Sequence, residues 1–161
     1  MQRSRPWRRL LLAGALGLAL PATAAAQAAP YDRYLNHNEL TDAARGLVQR
    51  HGSLAQLRSL AKTDAGRDVW LLTLGRRQGA DVDARPALLL VANLEANHLI
   101  GSAAALYAAE HMLTQYGRDD AITKLLNERT VYVIPRANPD GAELAFTLRA
   151  YETPYKPFAG D

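Results

Sequence analysis

The chain has 161 residues, enough for one domain or for part of a larger one. Its 48% hydrophobic and 22% charged residues are the balance of a globular protein, and the lack of cysteine excludes a disulfide scaffold, a thiolate zinc finger, an iron–sulfur site and a cysteine nucleophile. The pI near 9.4 does not point to nucleic acid: Arg3, Arg5, Arg8 and Arg9 stand among the first 26 residues without an acid, and the rest of the chain sets 15 basic against 16 acidic residues.

Arg3 to Arg9 form a positive segment. Residues 10–20 are an apolar run of eleven, short of the roughly 20 that cross a bilayer as a helix. Pro21 ends the run, and residues 22–28 are rich in the small side chains that a signal peptidase accepts. Residues 1–26 are therefore expected to be a signal peptide, with cleavage after Ala26 or after Ala28. The mature chain is expected in the periplasm or outside the cell, with no nucleic-acid partner and no membrane contact after signal removal.

Leu40, Ala43, Ala44, Leu47 and Val48 predict a one-sided helix over residues 38–50, stopped by Gly52. Ser53 caps a predicted short helix through Leu60, with Leu54, Leu57 and Leu60 on one side. Residues 64–67 read as a turn, 69–74 as a strand and 76–85 as a polar loop. Residues 87–94 are almost continuously apolar, which predicts a strand buried on both faces. A helix is predicted over 102–116, ended by Gly117, then a short helix capped by Asp119 or Asp120 and running to Asn127. Residues 130–134 predict a third strand, stopped by Pro135. Asn138-Pro139-Asp140-Gly141 reads as a tight turn, after which the pattern fades. His37, His51, Glu110 and His111 are expected at the surface. Strands alternating with helices make an α/β layered domain. Three strands without a closing element suggest truncation.

Open α/β sheets collect their chemistry beyond the C-terminal ends of the strands. Glu95-Ala96-Asn97-His98 stands directly after the most apolar predicted strand. A carboxylate and an imidazole three residues apart reach one metal ion when the segment turns, and catalytic zinc commonly takes two histidines and one carboxylate. The same spacing also suits a solvated glutamate and a histidine that satisfies a backbone group.

Taken together, residues 31–161 resemble the M14 zinc carboxypeptidases. The resemblance rests on the helix region 34–50 and on the Ser59 to Trp70 entry into a strand, with Gly66-Arg67. It continues through Leu90-Val91-Ala92-Asn93-Leu94 before the metal loop and Val133-Ile134-Pro135 leading to Asn138-Pro139-Asp140-Gly141, with Gly101 opening the next helix. It implies a mixed sheet with helices on both faces, carboxypeptidase-like and apparently truncated, with residues 27–161 the N-terminal part of the peptidase domain. It also implies Zn2+ as cofactor, Glu95 and His98 as metal ligands, a peptide substrate hydrolysed from its C-terminus, and Arg149 near the substrate. The family order His-x-x-Glu is exchanged here to Glu-x-x-His. A third histidine ligand and the glutamate general base are expected beyond Asp161, leaving this stretch inactive by itself. The exchanged pair also suits a non-catalytic relative that binds peptides or cell-wall fragments. An unrelated exported interaction domain is the remaining alternative.

Overall fold

The computed structural model describes residues 33–77 and 82–147. Their order is α1 (His37–Arg50), β1 (Ala55–Lys62), β2 (Asp68–Leu74), β3 (Ala87–Val91), α2 (Leu99–Gln115), α3 (Asp120–Glu128), β4 (Thr130–Ile134) and α4 (Pro139–Thr147), with a 3-10 turn at Val82–Ala84.

Local chemistry sets several of these boundaries. Asn36 accepts a hydrogen bond from the Glu39 amide while the Glu39 carboxylate accepts one from the Asn36 amide, a reciprocal cap that satisfies two otherwise unpaired donors at the start of α1. Asp119 caps α3 through the Ile122 amide. Gly66, with φ at 78°, supplies the left-handed residue in the turn between β1 and β2.

The sheet runs in the order β1-β2-β4-β3 and is mixed: β1 with β2 and β2 with β4 are antiparallel, and β3 with β4 is parallel. Leu72 stands opposite Val133 and Leu74 opposite Val131, so these four share one face. That face joins Leu40, Ala44 and Leu47 of α1, Leu106, Ala109 and Leu113 of α2 and Leu126 of α3 in a single core. Among the described residues no helix is long and apolar enough to cross a membrane.

Several expectations need correction. The segment from Ser53 to Leu60 is not a helix, because residues 55–62 form β1 and pair with β2. Its Ala55-Gln56-Leu57-Arg58 alternation is a strand pattern, and pairing with an apolar neighbour outweighs the three-residue leucine spacing. Among the described residues the sheet therefore has four strands rather than three. The strand predicted to be buried on both faces ends at Val91 and pairs only with β4 among the described residues, leaving Leu88 and Leu89 49% and 57% exposed. Apolar composition records what a strand needs covered, and nothing about what covers it.

Asn138 to Gly141 starts a helix rather than closing a turn. The Gly141 amide donates to Asn138 Oδ1 at 2.9 Å and the Ala142 amide to the Asn138 carbonyl at 3.0 Å. Pro139 occupies the first helical position, where its missing N–H costs nothing. His37 is buried, at 8% exposure. Glu110 forms an ion pair with Arg50 at 2.8 Å, whereas His111 is exposed and stacks on Tyr107. Residues 1–26 with their cleavage positions, and Arg149, lie outside the described residues.

Candidate functional site

The parallel pairing of β3 with β4 continues past both strand ends. The Ala92 amide donates to the Ile134 carbonyl, the Ala137 amide to the Ala92 carbonyl and the Asn138 amide to the Asn93 carbonyl, at 2.9, 2.9 and 3.1 Å. Beyond this zipper the chain leaves the sheet. Asn93 adopts a left-handed backbone, φ 51°, and is buried. The next residues curl back so that the His98 amide donates to the Glu95 carbonyl at 3.1 Å, and α2 begins at Leu99.

This curl brings the two sequence-predicted metal residues together. His98 Nδ1 lies 3.4 Å from Glu95 Oε2, and both side chains are mostly exposed. Two zinc ligands about 2.0–2.1 Å from a tetrahedral ion lie roughly 3.3 Å apart, so the separation suits a shared ion. The donor set, one imidazole and one carboxylate, is also that of zinc sites. Among the described residues no group of three histidine, aspartate or glutamate side chains is placed to hold a metal ion.

Two glycines allow the neighbouring elements to close on the loop. A Cβ on Gly101, in the first turn of α2, would lie 3.2 Å from the Asn93 nitrogen. A Cβ on Gly141 would lie 2.7 Å from Ala96 Cβ, too close for any side chain without movement. An open groove of about 720 Å³ runs beside the pair, lined by Leu90, Val91, Leu94, Ile100, Ala104 and Ala108 among others.

Behind the loop stands a buried polar cluster that the sequence reading missed. Arg136, 2% exposed, donates to the Leu35 carbonyl at 2.7 Å and to Ser102 Oγ at 3.2 Å, and lies 3.7 Å from the Glu143 carboxylate. Glu143 also accepts the His37 amide at 2.6 Å, tying α1 to α4. Arg136 sits two residues beyond β4, in the same C-terminal edge region as Glu95, and position at the strand end was the available signal. Asp140 holds α4 to the turn between β1 and β2 through Arg67 and Thr63, each at 2.8 Å. The Arg67 guanidinium, then the Thr63 hydroxyl and the Ala65 amide, keep its carboxyl below the usual range.

The described sheet is mixed and presents a carboxylate–imidazole pair at the C-terminal edge of its parallel strands, where open α/β folds place their sites. The family model of the zinc carboxypeptidases, peptidase M14, matches residues 40–156, and the chain belongs to that family. Carboxypeptidase D of Drosophila melanogaster is 34% identical over 115 residues, covering 70% of this chain and 8% of the relative. The inactive metallocarboxypeptidase ecm14 of Talaromyces stipitatus is 32% identical over 113 residues, covering 69% of this chain and 19% of that one. The crystal structure of thrombin activatable fibrinolysis inhibitor superposes with a TM-score of 0.66 at 19% identity, over 74% of this chain and 29% of that structure. The chain thus spans less than a third of the length of each.

Proposed function

We propose that this chain carries the metal-binding loop of an exported zinc carboxypeptidase that releases C-terminal residues from peptides, with Glu95 and His98 as two of its zinc ligands. The observation that carries this reading is the 3.4 Å approach of His98 Nδ1 to Glu95 Oε2 just beyond β3. Zinc, when bound, supplies Lewis-acid polarisation of a peptide carbonyl. The residues of the chain do the holding. Glu95 brings a negative charge to the ion, and His98 ligates only as neutral imidazole, so binding weakens in acid. In this reading Arg149 reaches the substrate, residues 1–26 direct export to the periplasm or medium, and residues 27–161 form the N-terminal part of the peptidase domain.

Calorimetric titration with zinc at neutral pH tests the ligand assignment. Glu95→Ala and His98→Ala are each expected to weaken binding at least tenfold, on the order of 1.4 kcal/mol. The double change Glu95→His with His98→Glu keeps ligand number and type and should retain binding. Unchanged affinity in both alanine variants would refute the assignment.

Two observations favour a second reading, a non-catalytic relative that binds peptides or cell-wall fragments. The ligand order Glu-x-x-His reverses the His-x-x-Glu of the catalytic pattern, and one relative at 32% identity is named inactive. Zinc binding by the exported protein, as its host produces it, without release of C-terminal residues from peptides would select that reading.

A further inference from the structure

The geometry points to Asn93 as the positioning residue of the Glu95–His98 loop, an inference that rests on the metal-ligand reading above. In a continued strand, residues three apart point to opposite faces. Glu95 and His98 could not then meet at one ion. The chain has to leave the strand after Val91, the last residue of β3, and turn back between Glu95 and His98. Asn93, the one non-glycine residue with positive φ, at 51°, among the described residues, is where it leaves the strand direction and sets up the reversal that follows.

The side chain of Asn93 fixes the outcome of that reversal. Its Nδ2 donates to the Glu95 carbonyl at 2.8 Å, and the same carbonyl accepts the His98 amide at 3.1 Å. One oxygen therefore carries two donors, one from before the loop and one from its far end. Both ends of the candidate ligand pair are referred to the Asn93 amide. Asn93 itself is held by the surrounding backbone. Its carbonyl accepts from the Asn138 amide, and Gly101 approaches its nitrogen so closely that a Cβ there would lie at 3.2 Å.

Two local costs meet at this position. Left-handed backbone is unfavourable for a residue with a Cβ, though asparagine tolerates it better than most. The residue is 4% exposed, and its Oδ1 is buried with no hydrogen-bond partner among the described residues. Costs of this kind persist where the surroundings over-determine a conformation, and they concentrate at ligand-holding segments. An asparagine meets the two demands together: it tolerates the left-handed backbone, and its short amide reaches the carbonyl two residues on.

The test compares Asn93→Gly, Asn93→Ala and Glu95→Ala in the full chain by zinc calorimetry, amide hydrogen exchange and thermal unfolding. Glycine accommodates the backbone conformation and removes the side-chain donor together with the unpartnered Oδ1. We expect Asn93→Gly to bind zinc about three- to tenfold more weakly and to exchange the His98 amide faster, and Asn93→Ala to do both more strongly. If Asn93→Ala fails to fold, the glycine variant decides. Wild-type zinc affinity in Asn93→Gly, with or without a lower unfolding midpoint, overturns the assignment while Glu95→Ala still shows the metal site to be real. Wild-type affinity in Glu95→Ala overturns the metal reading and the role of Asn93 with it.

Discussion

His37 shows how far a single residue can depart from what its sequence neighbours suggest. It opens a helix beside polar residues, yet it is buried where α1 meets α4. Burial, and then the nearby Arg136 guanidinium, hold its imidazole pKa below the ordinary 6.5. The folded chain thus disfavours the protonated ring, and acid draws the equilibrium toward the unfolded chain. Stability should be flat above pH 6.5 and fall as the pH drops through 6.5 toward the lower folded value. His51, half-buried beside Arg50, is shifted the same way, again by burial first. Urea unfolding of His37→Gln between pH 7.5 and 5 is expected to show a shallower loss than the wild type, with His51 accounting for part of the remaining slope. An unchanged slope would mean that His37 is solvated. The closeness of Glu95 and His98 was legible in the sequence, because a three-residue spacing beyond an apolar strand lets both side chains reach one point when the segment turns. Asn93 was not, because its role lies in a backbone angle and in one hydrogen bond to a carbonyl, and neither has a residue pattern.

At the scale of elements, α1, α3 and β4 were readable from period and capping alone, since their signals are local. Asn36→Ala removes the cap of α1 and should cost about 1 kcal/mol in urea unfolding. A change below about 0.3 kcal/mol would show that tertiary contacts alone hold that end. β1 was misread because Leu54, Leu57 and Leu60 repeat every three residues. Only the pairing of Ala55 with Leu74 and of Leu57 with Leu72, a contact between distant segments, decides the matter. α4 was missed for a different reason: the Asn-Pro and Asp-Gly pairs that mark turns also serve as the cap and first turn of a helix. The Asp140 anchor then fixes that helix, whose Gly141 lies against Ala96 of the loop carrying Glu95, to the Thr63–Arg67 turn.

At the scale of the molecule, the core lies between one face of the sheet and α1, α2 and α3, while β3 and the outer side of α2 expose Leu88, Leu89, Val91, Ile100 and Tyr107. The outer edge of β3 has no strand partner among the described residues, a setting that favours association between chains. Leu89 stands opposite Tyr132, on the face away from Leu72 and Val133. Leu89→Lys should therefore change stability by no more than about 0.5 kcal/mol and lower self-association in light scattering. A loss of several kcal/mol would place Leu89 in a covered surface instead. The family assignment and the mixed sheet account for the fold, and the central functional claim is that the bend after β3 is where this fold takes its metal. The most direct measurement is a zinc titration of the isotope-labelled chain followed by amide chemical shifts. The largest changes are predicted within residues 93–101, with His37, His51 and His111 undisturbed. Largest changes at His51 or His111, or no change between residues 93 and 101 at saturating zinc, would contradict the account.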